Sequence, residues 1–271
     1  MTILVTGATA NIGRKVVDHL LALGANDIRA LTANPRKAAL PSGVQVIEGD
    51  LRRPEALAAA FAGVHRMYLA PAPDSVTEVL ALARAAGVRH VVDLSGEPES
   101  WWGSVCTAVE DSGLAWTHLW PGDFMENTMT WAHQIRESGA IREPRPHAAS
   151  APIAMDDIAA VAATALLTDT HLGRAFPLAG PEILTRAELV RHLADALGRD
   201  IVLHRSSREE AITALAPTMG DSATWYVDNV LCGFDPDPAT LPITSVRDIT
   251  GRPATTFARW AAANAPRFTA D

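Results

Sequence analysis

A glycine-flanked turn, Gly7-Ala8-Thr9-Ala10-Asn11-Ile12-Gly13, carries the first chemistry in this sequence. Gly7 allows a tight reversal of the chain. Backbone N–H groups at the start of a helix bind pyrophosphate, and a second glycine lets that helix approach the preceding strand. Ala10 stands where this fingerprint often has its middle glycine. An ordinary tight strand-to-helix connection is the plain alternative. The apolar run Ile3 to Val5 before the turn and the amphipathic run from Ile12 to Leu23 after it supply the context that dinucleotide binding requires. Gly7, Thr9, Ala10, Asn11, Ile12 and Gly13 are therefore candidate cofactor contacts.

The end of the next strand selects the dinucleotide, because a carboxylate there pairs with a ribose 2′-hydroxyl and a cation accepts a 2′-phosphate. The chain reads Leu31-Thr32-Ala33-Asn34-Pro35-Arg36-Lys37, with no carboxylate. Thr32 and Asn34 offer hydrogen bonds and Arg36 offers charge, so NADP is favoured and NAD is possible. A solvated basic turn is the alternative reading. Asp50 and Leu51 follow the third strand, where an adenine ring would lie, or Asp50 serves as a helix N-terminal carboxylate. Ala70 and Pro71, after the fourth strand, complete the cofactor set.

Lysine and tyrosine are scarce: Lys15 and Lys37 are the only lysines, and Tyr68 and Tyr226 the only tyrosines. A mechanism that needs Tyr and Lys together has few places to reside. Ser95, ending the fifth strand, is the candidate catalytic residue, as a hydrogen-bond donor to substrate; a strand-end serine that satisfies a backbone group is the alternative. Asp123, Glu126 and His133 are further candidate proton donors. Trp101, Trp102, Trp120 and Trp131, with Phe124 and Asn127, form a candidate substrate wall, since indoles stack well on planar ligands. Packing is the alternative for each tryptophan alone. Trp225-Tyr226 is a candidate facing wall. His133 and His147 have no metal-ligand spacing, so no metal is expected, and Cys106 reads as a small buried residue.

These residues need a scaffold. Short apolar runs at 3–5, 28–31, 44–47, 66–69, 88–94 and 115–119 alternate with helical patterns at 12–24, 54–61, 75–86 and 105–110. That alternation predicts an α/β fold, a doubly wound parallel sheet with helices on both faces. Ser75-Val76-Thr77-Glu78 and Thr185-Arg186-Ala187-Glu188 read as capping boxes. The polar, proline-bearing stretch 139–152 reads as a loop, 155–167 and 185–197 as helices, and Ser207 to Leu215 as a helix in a smaller lobe that also holds a Pro/Asp-rich stretch at 235–242. With 271 residues, 48% of them hydrophobic, the chain can bury a sizeable core. A net charge of −8 argues against nucleic acid, and no apolar run is long enough to span a membrane. Two cysteines and no basic leader point to a soluble, cytoplasmic protein, monomeric or homodimeric, acting on a small molecule.

The motifs occur in an order that resembles the NmrA-like group of atypical short-chain dehydrogenases. They are Thr6-Gly7-Ala8-Thr9 with Ile12-Gly13, Ala30-Leu31 with Asn34-Pro35, and Glu48-Gly49-Asp50-Leu51 in the first half. Gly113-Leu114-Ala115-Trp116-Thr117, Pro121-Gly122-Asp123-Phe124-Met125-Glu126-Asn127, Asp157-Ile158-Ala159, Leu178-Ala179-Gly180-Pro181-Glu182 and Thr250-Gly251-Arg252-Pro253 follow. The resemblance implies a Rossmann-type domain over 1–150, with helix 155–168 packing back on it, a smaller C-terminal α/β substrate lobe over 169–271, and NADP(H). It implies either a reductase of bulky aromatic, quinonoid or polycyclic substrates or a regulatory protein that senses NADP(H) without turnover. A sugar-nucleotide epimerase or dehydratase is a weaker third reading. Ordinary short-chain dehydrogenases use a Tyr with a Lys four residues on. Here Tyr68 is followed at that distance by Ala72 and Tyr226 by Val230, and the family's spacing puts the dyad positions at about Trp102 and Cys106. Ser95 matches the family's serine near the nicotinamide, whereas Trp120 stands where relatives often carry Arg.

Overall fold

The computed structural model describes residues 1–100, 102–233 and 244–269, so Trp101 and the stretch 235–242 lie outside the described residues. The first part of the chain runs β1 (Ile3–Val5), α1 (Asn11–Ala22), β2 (Ile28–Thr32), β3 (Gln45–Glu48), α2 (Ala58–Phe61), β4 (Arg66–Leu69) and α3 (Val76–Ala85). It continues through β5 (His90–Leu94), α4 (Gly103–Asp111), β6 (Ala115–Pro121), α5 (Ala132–Ser138), β7 (Ala140–Glu143), β8 (Ala149–Ser150) and α6 (Met155–Leu167). The remainder is β9 (Arg174–Leu178), β10 (Leu184–Thr185), α7 (Arg186–Leu197), β11 (Val202–Arg205), α8 (Arg208–Met219), α9 (Ser222–Tyr226), α10 (Ser245–Thr250) and α11 (Phe257–Thr269). No helix among the described residues is long and apolar enough to cross a membrane.

Two compact units result. The first comprises Met1–Pro121, Met155–Leu178 and Ser245–Arg252, and the second Gly122–Ala154, Ala179–Thr244 and Pro253–Asp271. The division therefore differs from consecutive stretches over 1–150 and 169–271. After β6 the chain leaves the first unit and returns as α6 and β9, because the sheet recruits β9 as a partner for β6.

In the first unit a seven-stranded parallel sheet has the order β3-β2-β1-β4-β5-β6-β9. This is the Rossmann-type arrangement, whose order reverses between β1 and β4, and ligands bind beyond the strand C-termini at such a switch point. The central strands β1 and β5 read as apolar runs because they are covered on both faces. Helix α1 buries Ile12, Val16, Val17 and Leu20 and packs against α6. Helix α6 buries residues all round its circumference, as a helix enclosed by neighbours must. Leu4, Leu31, Leu51, Leu57, Phe61 and Met67 fill the opposite side of the core.

The second unit is smaller and α/β. The stretch 139–152 is not the loop its composition predicts: β7 pairs in parallel with β11, and β8 pairs antiparallel with β10. Its strands gain their hydrogen bonds from segments distant in sequence, which local patterning does not show. Helix α7 begins with a complete capping box, Glu188 N–H donating to Thr185 Oγ1 (3.2 Å) and Thr185 N–H to Glu188 Oε2 (2.8 Å). Helix α8 has the same device in Ser207 and Glu210. The box expected at Ser75 does not form: the Ser75 hydroxyl is buried and makes no cap. Trp131, Ile135, Leu189, Leu193, Phe257 and Trp260 form this unit's core.

Candidate active site

The turn between β1 and α1 is built for close backbone approach. Gly7 sits at φ +57°, in the left-handed region that favours glycine, and a Cβ on it would lie 3.0 Å from that of Ala70. A Cβ on Gly13 would lie 2.2 Å from the Gly7 carbonyl oxygen, so only glycine fits there. Ala10 is the N-cap of α1, and among the described residues no side chain caps this helix. Its first amides are left for a ligand, and the helix dipole favours an anion there. Thr9, Ala10 and Asn11 are exposed. The donor set and the glycine cradle fit a dinucleotide pyrophosphate. Behind them, Ala70 N–H donates to Thr6 Oγ1 (2.8 Å), and Thr6 Oγ1 donates to the Tyr68 carbonyl (2.9 Å), tying the ends of β1 and β4.

At the end of β2, Thr32 is buried and its hydroxyl lies 2.9 Å from Thr9 Oγ1 while accepting from Asn34 N–H (3.3 Å). It orders the two loops. Asn34 and Arg36 are exposed, as is Pro71. The Arg14 guanidinium, on α1, donates to the Ala39 carbonyl (2.7 Å), placing a second cation against the loop that carries Arg36. Asp50 is gripped by Arg52 through contacts of 2.6–3.1 Å, which hold its carboxyl down at about 2. Leu51 is buried in the core.

Ser95 is 1% exposed, and its hydroxyl donates to Asp93 Oδ1 (2.5 Å). This hydrogen bond directs the Ser95 proton to a buried carboxylate. Asp93 Oδ2 lies 2.6 Å from His118 Nδ1, and the sheet register sets these two residues opposite each other on β5 and β6. Burial pushes the Asp93 carboxyl up, and its hydrogen bonds to His118 and Ser95 oppose this. The His118 ring stacks on Trp116 at 4.0 Å and faces Trp120 at 6.1 Å, three alternate residues on one side of β6. Sequence reading missed Asp93 and His118. The available signal was ionisable side chains within two largely apolar strand runs, Asp93 in β5 and His118 in β6. Cys106 is buried, and desolvation, reinforced by Glu110 and Asp93, raises its thiol to about 11. Trp102 and Trp120 are half-buried in the first unit.

Tyr68 is enclosed in the core, and burial pushes its phenol above the ordinary value; burial does the same to Tyr226. In the second unit, Asp123 accepts from Arg186 Nη1 (2.9 Å), Ser150 Oγ (2.8 Å) and Asn127 Nδ2 (2.8 Å). Asp123 is thus an ion-paired buried carboxylate and not a free proton donor, and Asn127 has its amide engaged. Glu126 Oε1 accepts from Trp260 Nε1 (3.2 Å). Trp131 is 3% exposed within the core, so it serves packing and not the substrate wall. Phe124 is half-buried and bridges to Ile153; Trp225 is exposed and Tyr226 buried.

A reversed-order parallel sheet with an uncapped glycine turn at its first crossover defines an NAD(P)-binding α/β protein. A family described as NAD(P)H-binding matches residues 7–97. An NAD(P)H azoreductase of Xenophilus azovorans is 36% identical, the alignment covering 98% of this chain and 99% of that protein. A (4-alkanoyl-5-oxo-2,5-dihydrofuran-3-yl)methyl phosphate reductase of Streptomyces griseus is 34% identical, again over 98% and 99%. The crystal structure of an NADPH-dependent quinone oxidoreductase from Escherichia coli, bound to NADPH, superposes with a TM-score of 0.85 at 25% identity, covering 97% and 99%. The chain belongs to the NmrA-like group of atypical short-chain dehydrogenases and reductases, and it is an NAD(P)H oxidoreductase.

Proposed function

We propose that the chain reduces bulky aromatic, quinonoid or polycyclic acceptors with NADPH, without a Tyr-x-x-x-Lys dyad, and that it works in the cytoplasm. The cofactor turn carries this reading: the uncapped head of α1, with Gly7 and Gly13 permitting backbone approach, is paired with a β2 end that bears cations and no carboxylate. Backbone amides of residues 11–13 would hold the pyrophosphate. Asn34, Arg36 and Arg14 would hold the 2′-phosphate, Asp50 and Leu51 would border the adenine, and Ala70 and Pro71 would border the remainder. When bound, NADPH supplies the hydride.

The chain's part in the chemistry is positioning and the exclusion of water. Both tyrosines are buried, and burial raises the thiol at one expected dyad position to about 11. The acceptors named for the relatives are an azo group, a quinone and an acyl-dihydrofuranone. Each is a conjugated electrophile whose anionic product is delocalised, so it needs no strong protein acid. Trp102 and Trp120, half-buried and flat, would stack on such an acceptor. Supplying NADPH with a panel of quinones, azo dyes and acyl-butenolides tests the reading. We expect cofactor oxidation with at least one class; binding without oxidation across the panel would favour an NADP(H) sensor.

A further inference from the structure

Cys106 and Glu110 lie four residues apart on α4, on one helix face, and His118 faces them from β6. Their Sγ, carboxylate oxygen and imidazole nitrogen all fall within 4.8 Å of one another. We propose that these three side chains form a binding site for a divalent transition-metal ion, with Zn2+ the best match.

Three observations carry this. First, the donor set is one thiol, one imidazole and one carboxylate. Soft and borderline ligands of this kind select Zn2+ over Mg2+ or Ca2+. Second, His118 is fully buried, and its Nε2 has no hydrogen-bond partner among the described residues: the nearest charged atom, Glu110 Oε1, is 3.6 Å away. Bond lengths of about 2.0–2.3 Å to a tetrahedral ion place ligand atoms about 3.3–3.6 Å apart, so this pair already has the required separation. Third, His118 Nδ1 is bonded to Asp93, which also accepts from Ser95. With Nδ1–H donating to the carboxylate, Nε2 presents its lone pair toward Cys106 and Glu110. A carboxylate behind a ligating histidine is the arrangement that orients such a ligand and raises its basicity. Trp116 stacked on the ring at 4.0 Å fixes it further. Glu110 is 46% exposed, which leaves a path for the ion and a fourth coordination position for water. An ion there ties α4 to β6.

The test uses the full chain, stripped of metal by chelation and titrated with Co2+. We expect one equivalent to bind with a thiolate-to-cobalt charge-transfer band in the near ultraviolet, and Zn2+ to displace it. The variant C106S should lose the band, while C232S, at the other cysteine, should keep it. Because a buried substitution can disturb folding, E110Q on the exposed ligand is the second probe. It should weaken Zn2+ binding about tenfold or more, measured against a chromophoric chelator, with an unchanged circular dichroism spectrum. No charge-transfer band, a band lost in C232S but kept in C106S, or unaltered Zn2+ affinity in folded E110Q would overturn the site.

Discussion

At the scale of single residues, the cofactor turn depends on hydrogen atoms where other residues have a Cβ. Gly13→Ala would put a methyl carbon 2.2 Å from the Gly7 oxygen, a separation that forces the turn open. We expect NADPH affinity to fall at least about tenfold in a fluorescence titration, because the amides no longer converge on one anion. Unaltered affinity would remove the turn from the cofactor site. Arg36 has a separable role. If it meets the 2′-phosphate, Arg36→Ala loses one charge-assisted bond, worth about 1.5–3 kcal/mol, with NADPH and nothing with NADH. The expected result is a Kd for NADPH raised roughly tenfold or more while that for NADH stays constant, and equal losses for both would assign Arg36 elsewhere.

At the scale of elements, the buried pair of Arg186 and Asp123 joins the start of α7 to the segment that follows β6 within the second unit. Removing one partner of such a pair leaves a charge uncompensated in a medium of low polarity. Arg186→Ala should therefore destabilise the fold by about 3–5 kcal/mol in urea unfolding, and a change below about 1 kcal/mol would show the pair to be solvated in solution. Much of the first unit is legible in sequence because its central strands are buried on both faces, as Ile3-Leu4-Val5 and Val91-Val92 show. The second unit is less so. Ala140-Ile141-Arg142-Glu143 becomes a strand only through its register with Val202–Arg205, and nothing local announces that partner. The site divides in the same way. Gly7 and Gly13 are legible from spacing, whereas the engagement of Ser95 with Asp93, and of Asp93 with His118, exists only once β5 and β6 lie side by side. Trp131 was misread because an aromatic side chain suits a core as well as a ligand wall, and only burial separates the two.

At the scale of the whole molecule, the parallel sheet imposes a pH limit as well as a site. His90 is buried on β5, its Nε2 3.0 Å from Thr117 Oγ1, and desolvation lowers its pKa to about 4 from an unfolded value of about 6.5. The folded state thus binds fewer protons than the unfolded state between those values. This contribution to stability is complete above about pH 6.5 and is lost as pH falls toward 4, amounting to up to about 3 kcal/mol. Melting temperature should drop over that interval, and His90→Gln should flatten the dependence; an unchanged slope would assign the loss to other groups. The proposed chemistry, hydride transfer by positioning on a scaffold that holds no Tyr-x-x-x-Lys dyad, belongs to this scale too. Mixing the chain with NADPH deuterated at the transferring C4 position, in the presence of a quinone, tests it most directly. The expected result is cofactor oxidation with deuterium leaving C4 and a primary isotope effect on turnover, while saturable NADPH binding with no loss of deuterium from C4 would contradict it.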